Sequence, residues 1–93
     1  MGIKNCTAED AWNNLLKNEG KTFSTVRGLD FTYKVSPDKK GFVTSRADFF
    51  LTKANFEKAF SLFPVDSAKK LNDKGVMGSS YLFALLSDRR IMH

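Results

Sequence analysis

The sequence predicts an α+β fold with an N-terminal helix, a three-stranded antiparallel meander, and two or three C-terminal helices packed on one face of the sheet. Apolar residues recur at helical spacing near the start and in the second half, and alternate with polar residues in between, as in strands. Nine Phe, one Trp and two Tyr supply a core, since each aromatic side chain buries about 150–250 Å². A chain of 93 residues has material for one such core, so we expect a single domain over residues 1–93.

The first element is a predicted helix over about residues 8–18. Thr7 is a suitable N-cap because its hydroxyl can accept an amide hydrogen bond, and Glu9 and Asp10 then fall in the positively polarised first turn. Lys17 is typical of a helix end. Apolar side chains at i, i+3, i+4, i+7 and i+8 share one helix face, and these are Ala8, Ala11, Trp12, Leu15 and Leu16.

Three short strands are predicted next, over residues 22–27, 30–35 and 42–46. β-Branched and aromatic residues become frequent here and alternate with polar ones, as in half-buried strands. Gly28 provides the turn between the first two strands. The segment 36–41 connects the second strand to the third, because its proline fixes φ, its aspartate bonds to nearby backbone and its final glycine permits a left-handed exit.

The next helix is predicted over residues 53–63. Thr52 is a suitable N-cap, and the residue before Pro64 disfavours helical backbone. The segment Phe49–Leu51 is apolar enough either to extend the third strand or to link that strand to the helix, and both alternatives stay open. The apolar stripe of the helix consists of Phe56, Ala59, Phe60 and Phe63.

Two shorter helices are predicted towards the C-terminus. The first covers residues 68–71 after a cap at residues 66–67, and the second covers 80–87 after a cap at Ser79. The glycine-containing segment between them presents backbone N–H groups at a helix start, which suits either a phosphate or an ordinary loop. It lacks the spacing of a nucleotide-binding loop. The end of the chain is expected to fray or to add an edge strand through Ile91.

The residue inventory argues against an enzyme. The single imidazole is His93, at the end of the sequence, where it is poorly held for general-base catalysis. Cys6 is the single cysteine, so neither an internal disulfide nor the usual Cys/His zinc sets can form. We therefore expect no catalytic residues, no metal and no cofactor.

The sequence also predicts a cytoplasmic protein without membrane contact. No apolar run approaches the roughly 20 residues that span a bilayer, and Met1–Asn5 lacks the apolar centre of a signal peptide. A single cysteine is in keeping with a reducing compartment.

The charge distribution gives the main indication of function. Lys and Arg number 15 against 10 Asp and Glu, and the formal net charge of +5 favours an anionic partner. In the predicted sheet, Thr32 and Lys34 of the second strand are expected to share an outer face with Thr44 and Arg46 of the third. Hydroxyls and cations on one face suit phosphate and base-edge contacts, as in proteins that lay a β-ribbon in a groove. The same pattern is typical of a solvated polar face.

We therefore expect a small basic binding module whose partner is nucleic acid. The alternative is a protein–protein interaction module, such as a small inhibitor or accessory protein that docks on a larger protein partner. A third hypothesis is an enzyme fragment, or a subunit that completes the site of another chain. In size and charge the chain resembles the small accessory proteins of phages and mobile elements, and its oligomeric state is left open. The predicted nucleic-acid-binding residues are Arg27, Lys34, Lys39, Lys40, Arg46, Lys69, Lys70, Arg89 and Arg90.

Overall fold

The computed structural model describes residues 6–47 and 50–92 and confirms the α+β fold. Four helices are present among these residues, and they are α1 (Ala8–Lys17), α2 (Lys53–Leu62), α3 (Ala68–Asp73) and α4 (Ser79–Leu86). Five strands lie between α1 and α2, and they are β1 (Phe23–Ser24), β2 (Asp30–Phe31), β3 (Tyr33–Val35), β4 (Gly41–Thr44) and β5 (Leu51–Thr52). The predictions that concern Phe49 and His93 lie outside the described residues.

The strands form two antiparallel ladders that share one extended stretch of chain. Strand β1 pairs with β2, and a three-stranded sheet has the order β3–β4–β5. Only Thr32 separates β2 from β3. The Thr32 N–H donates to Ser45 Oγ at 3.0 Å, and the Thr32 carbonyl accepts from the Ser45 N–H at 2.8 Å. The stretch 30–35 is thus held along its length, as the predicted second strand requires.

The observed strands differ from the predicted meander at the end of the first strand and in the segment after the third. The first strand ends at Ser24 because Thr25 already belongs to the turn, where its carbonyl accepts from the N–H of Gly28 at 2.8 Å. Gly28 has the positive φ expected of it, +85°. Leu51 fits neither of the two alternatives for this segment, because it belongs to a separate strand, β5, and pairs there with Phe42 of β4.

The caps of α1 and α2 are confirmed. Thr7 Oγ1 accepts from the Asp10 N–H at 3.0 Å, and the Asp10 carboxylate accepts in return from the Thr7 N–H at 3.2 Å. Thr52 Oγ1 accepts from the Asn55 N–H at 3.0 Å. Each contact satisfies an amide that the first helical turn leaves without a partner.

The predicted cap of α4 is wrong by one residue. Gly78 is the N-cap, with φ of +67°, and Ser79 is the first residue of the helix. A side chain at Gly78 would meet Leu51, because a Cβ there would lie 2.8 Å from Leu51 Cδ2. Glycine therefore provides both the left-handed backbone and the close approach of α4 to β5.

Helices α1, α2 and α4 cover the inner face of the sheet. The Trp12 ring of α1 lies 6.1 Å from that of Phe42 in β4 and 5.1 Å from that of Phe56 in α2. Phe31 of β2 packs edge to face on Tyr81 of α4, with 5.1 Å between the ring centres. This packing confirms that the C-terminal helices lie on one face and leaves the other face of the hairpin to solvent.

The end of the chain closes the core instead of adding a strand. Ile91 is fully buried, and its carbonyl accepts from Asn14 Nδ2 at 2.8 Å. The expected edge strand at Ile91 is wrong because the side chain is needed in the core, beside α1. Across residues 6–47 and 50–92, none of the helices is long and apolar enough to cross a membrane.

Candidate nucleic-acid interface

The register of β3 and β4 decides which side chains face solvent. Lys34 pairs with Val43, and Tyr33 pairs with Thr44. Residues paired across two strands share a face, so Lys34 and Val43 lie on the outer face while Tyr33 and Thr44 face the core. The predicted outer position of Thr44 is therefore wrong, and only 4% of this residue is exposed. Phe42 is fully buried, and the two-residue period of a strand then also turns Thr44 inward.

Phe50 lies on the outer face over Gly41. A Cβ at Gly41 would overlap the Phe50 ring and the Leu51 carbonyl oxygen, so the ring can lie there only above a glycine. The predicted left-handed exit at Gly41 is wrong, because the positive φ of this turn falls on Lys39, at 58°. The glycine thus makes room for an aromatic ring that is 45% exposed.

A small cleft opens beside this ring. It encloses about 270 Å³. Its walls are mostly apolar, with one lysine at the rim, and its lining consists of Lys34, Val35, Ser36, Pro37, Val43 and Phe50. Neither Val43 nor Phe50 is among the predicted site residues. No separate signal in the sequence indicated this close approach, because the expected left-handed exit from the turn already accounted for Gly41.

The hairpin is attached firmly to the end of α1. The Tyr33 hydroxyl donates to the Leu15 carbonyl oxygen at 2.6 Å, and the Val35 N–H donates to the Glu19 carboxylate at 2.7 Å. The N–H of Gly20 donates to the Tyr33 carbonyl oxygen at 3.3 Å. Burial of Tyr33, and secondarily the negative charge of Glu19, raise the pKa of its hydroxyl. Hydrogen bonds from the end of α1 therefore occupy the edge of β3 that does not pair with β4. A ligand can reach the hairpin on its outer face, not along this edge.

The basic residues of this region, termed here the hairpin cations, are all exposed: Arg27, Lys34, Lys39, Lys40 and Arg46. None of them forms an ion pair with a described acid. Arg46 Nε donates to a backbone oxygen, that of Asp30, at 2.5 Å. Arg27 and the Lys39–Lys40 pair lie beyond opposite ends of the stretch 30–35, which is roughly 20 Å long for strand geometry.

Three carboxylates of the described residues lie in the same region, and each accepts a hydrogen bond. Glu19 binds the backbone of β3, and Asp30 accepts from Ser24 Oγ at 2.5 Å. Asp38 accepts from Ser36 Oγ at 2.6 Å, and this bond lowers the pKa of its carboxyl. Among the described residues, the five hairpin cations therefore outnumber these three carboxylates by two charges.

The C-terminal basic residues have a different environment. Lys69 pairs with Asp73 at 3.3 Å, and Lys70 pairs with Asp66 at 3.4 Å, each one turn apart on the chain. Arg89 is exposed, at the end of α4. Each of these two lysines therefore has an acidic neighbour one turn away, in a solvent-exposed ion pair.

Arg90 has a structural position. Its guanidinium group forms two hydrogen bonds to Asp88, at 3.0 and 2.9 Å, and donates to the Thr22 carbonyl at 3.1 Å. The same group lies 3.9 Å from the centre of the Phe23 ring. These contacts tie the C-terminal residues to the β1 region. The charge of Arg90 is therefore already paired with Asp88, although the residue is exposed.

A groove between the β1–β2 turn and helices α3 and α4 brings Arg27 and Lys69 together. It encloses about 580 Å³ and is also lined by Ser79 and Ser80 from the glycine–serine segment. The exposed apolar side chains of Val26 and Leu29 stand at its edge. The predicted basic residues of the sheet region and those of the C-terminal region therefore come together at this groove.

Comparison of the chain with models of known protein families, with curated proteins and with solved structures finds no match. Functional conclusions therefore rest on the residues and their geometry.

Proposed function

We propose that this protein is a non-enzymatic module that binds nucleic acid through the outer face and the tip of the β3–β4 hairpin. The observation that carries the proposal is the state of the hairpin cations, which are exposed and without an acidic partner among the described residues. Lys69, Lys70 and Arg90, in contrast, are each paired with an aspartate.

The difference matters because phosphate binding is an exchange of partners. A solvated lysine that binds a phosphate releases the counterions of the nucleic acid, which drives association. A lysine already paired with an aspartate gives up that pair, and the aspartate then repels the phosphate. Lys34, Lys39 and Lys40 are therefore the stronger candidates for phosphate contacts. Arg27 lies in the β1–β2 turn beside the groove and Arg46 follows β4 with its Nε on the Asp30 carbonyl oxygen, so both are secondary candidates. In this proposal the protein acts in the cytoplasm and needs no cofactor.

The test is binding of labelled single- and double-stranded DNA and RNA to the purified protein at about 50 and 200 mM salt, the range over which phosphate contacts lose affinity steeply. We expect saturable binding that weakens as salt is raised. Lys34→Ala/Lys40→Ala should flatten the plot of log affinity against log salt by about 1.4–1.8, since each phosphate contact adds about 0.7–0.9 to its slope.

The matched control is Lys69→Ala/Lys70→Ala, which removes the same charge from the paired lysines. It should leave the slope close to that of the wild type. An equal effect of the two double variants would mean that net charge alone drives binding. Absence of binding at about 50 mM salt would refute the proposal.

A protein partner is the second candidate. The observation that favours it is the exposure of two apolar side chains beside the groove, 75% for Val26 and 46% for Leu29. Exposed apolar side chains next to a groove are typical of docking surfaces. This candidate predicts binding to one protein with little dependence on salt, and loss of that binding in Val26→Ser/Leu29→Ser with the hairpin cations intact.

A further inference from the structure

We infer that the outer face binds single-stranded in preference to double-stranded nucleic acid, with one base stacked on the exposed ring of Phe50. The inference rests on the proposed function and adds the form of the nucleic acid and the residue that selects it.

Phe50 is far more exposed than the phenylalanines of the core. Among the residues that the structure describes, Phe50 is the one aromatic side chain in the exposed class, while Phe23, Phe31, Phe42 and Phe56 are buried in the core. Nearly half of the surface of Phe50 is left in water, although the fold buries other phenylalanines fully. A solvent-exposed ring on a sheet face is the arrangement that proteins use to stack bases.

The Phe50 ring is held against the backbone of the hairpin. Phe50 lies over Gly41 in a space that any Cβ would fill. Gly41 has no positive φ that would require glycine for backbone reasons. The close approach to Phe50 and Leu51 therefore accounts for the glycine. The ring is seated on the hairpin backbone, and it borders the apolar cleft formed with Val35 and Val43.

The hairpin that carries this cleft also carries three lysines. Lys34 lies at the rim of the cleft, and Lys39 and Lys40 lie in the turn that joins β3 to β4. A base that stacks on Phe50 carries its phosphates past these lysines. An aromatic platform inside a positively charged surface is the common design of single-strand binding sites. In a duplex both faces of each base are covered by neighbouring bases, so only a single strand can use the ring.

The experiment measures the affinities of the wild type, Phe50→Ala and Phe50→Trp for a mixed-sequence DNA strand of about 12 nucleotides and for the duplex of the same sequence. Stacking on one aromatic ring is worth about 5- to 150-fold in affinity. We expect Phe50→Ala to lose single-strand affinity in this range and to keep its duplex affinity and its salt dependence. Phe50→Trp should retain single-strand affinity, and its indole fluorescence should be quenched on binding, whereas that of the buried Trp12 should not.

Met77→Ala is the matched control, because Met77 is a comparably exposed apolar residue, at 54% against 45% for Phe50, and lies outside the cleft. Circular dichroism of each variant establishes that it is folded. The stacking inference would be overturned if folded Phe50→Ala kept its single-strand affinity while Lys34→Ala/Lys40→Ala lost affinity. That result would leave the proposed function standing. Displacement of the strand by polyglutamate as readily as by unlabelled strand would also overturn it, since that result indicates an acidic peptide site. Absence of any nucleic-acid binding would remove both proposals.

Discussion

Replacing Tyr33 by phenylalanine tests how the hairpin is attached to helix α1. The Tyr33 hydroxyl donates to the Leu15 carbonyl oxygen at 2.6 Å, and only 3% of the tyrosine is exposed. Leu15 keeps a second hydrogen bond, from the Asn18 N–H at 3.2 Å, so its carbonyl is not left without a donor. The variant should therefore lose about 1 kcal/mol of unfolding free energy at pH 7, the usual contribution of such a bond, and about 4–8 °C in Tm.

The same hydroxyl links stability to alkaline pH. Burial raises the pKa of Tyr33 in the folded protein above the value of about 10 in the unfolded chain. The contribution of Tyr33 is therefore complete below about pH 10 and is lost as the pH rises towards the folded value. Within this window, each pH unit lowers the unfolding free energy of the wild type by about 1.4 kcal/mol. Tyr33→Phe has no ionisable group at this position and loses no stability for this reason. The two proteins should reach equal stability at about pH 11.

Urea unfolding followed by circular dichroism at pH 7, 10 and 11 measures both effects. Lysines titrate in the same range, and the difference between the two proteins cancels their contribution. Tyr81→Phe is the control, since its hydroxyl makes no hydrogen bond to a described residue. A Tyr33→Phe variant as stable as the wild type at pH 7, with the same loss of stability between pH 10 and 11, would refute the reasoning.

Three further substitutions test the packing around the site. Thr44→Val should raise the unfolding free energy by about 1 kcal/mol in urea titrations, because Thr44 Oγ1 is buried without a described hydrogen-bond partner; a decrease would contradict this. Asn55→Ala should lower it by about 1–3 kcal/mol and speed hydrogen exchange at Met77, whose N–H and C=O both bond to the Asn55 amide at 2.9 Å. Arg90→Ala should lower Tm at pH 7, and because Arg90 lowers the pKa of Asp88, the difference from the wild type should shrink below about pH 4.

The helices were predictable because their signals are local. The Thr7–Asp10 capping box and the Thr52 cap lie within one helical turn of the residues they satisfy. The same holds for the Lys69–Asp73 ion pair, whose spacing of four residues on a helix could have been recognised before the structure was known.

The exposed face of the hairpin was not predictable from such signals. A shift of one residue in pairing reverses every side chain of a strand, and no local pattern in β4 distinguishes Val43 from Thr44 as the outward residue. Phe42 settles the matter by packing against Trp12, which comes from helix α1. Contacts between distant segments therefore placed a valine, and not a threonine, beside Lys34.

The sequence by itself determined the order of helices and strands, the caps of α1 and α2, the basic character of the protein and the exposure of the hairpin tip. These features depend on residues within a few positions of one another. Only the tertiary structure decided which cations stay free of described acids, that Phe50 lies over Gly41, and that Arg90 closes on the β1 end of the sheet. These outcomes depend on which distant surfaces meet, and core packing determines that through the chain as a whole.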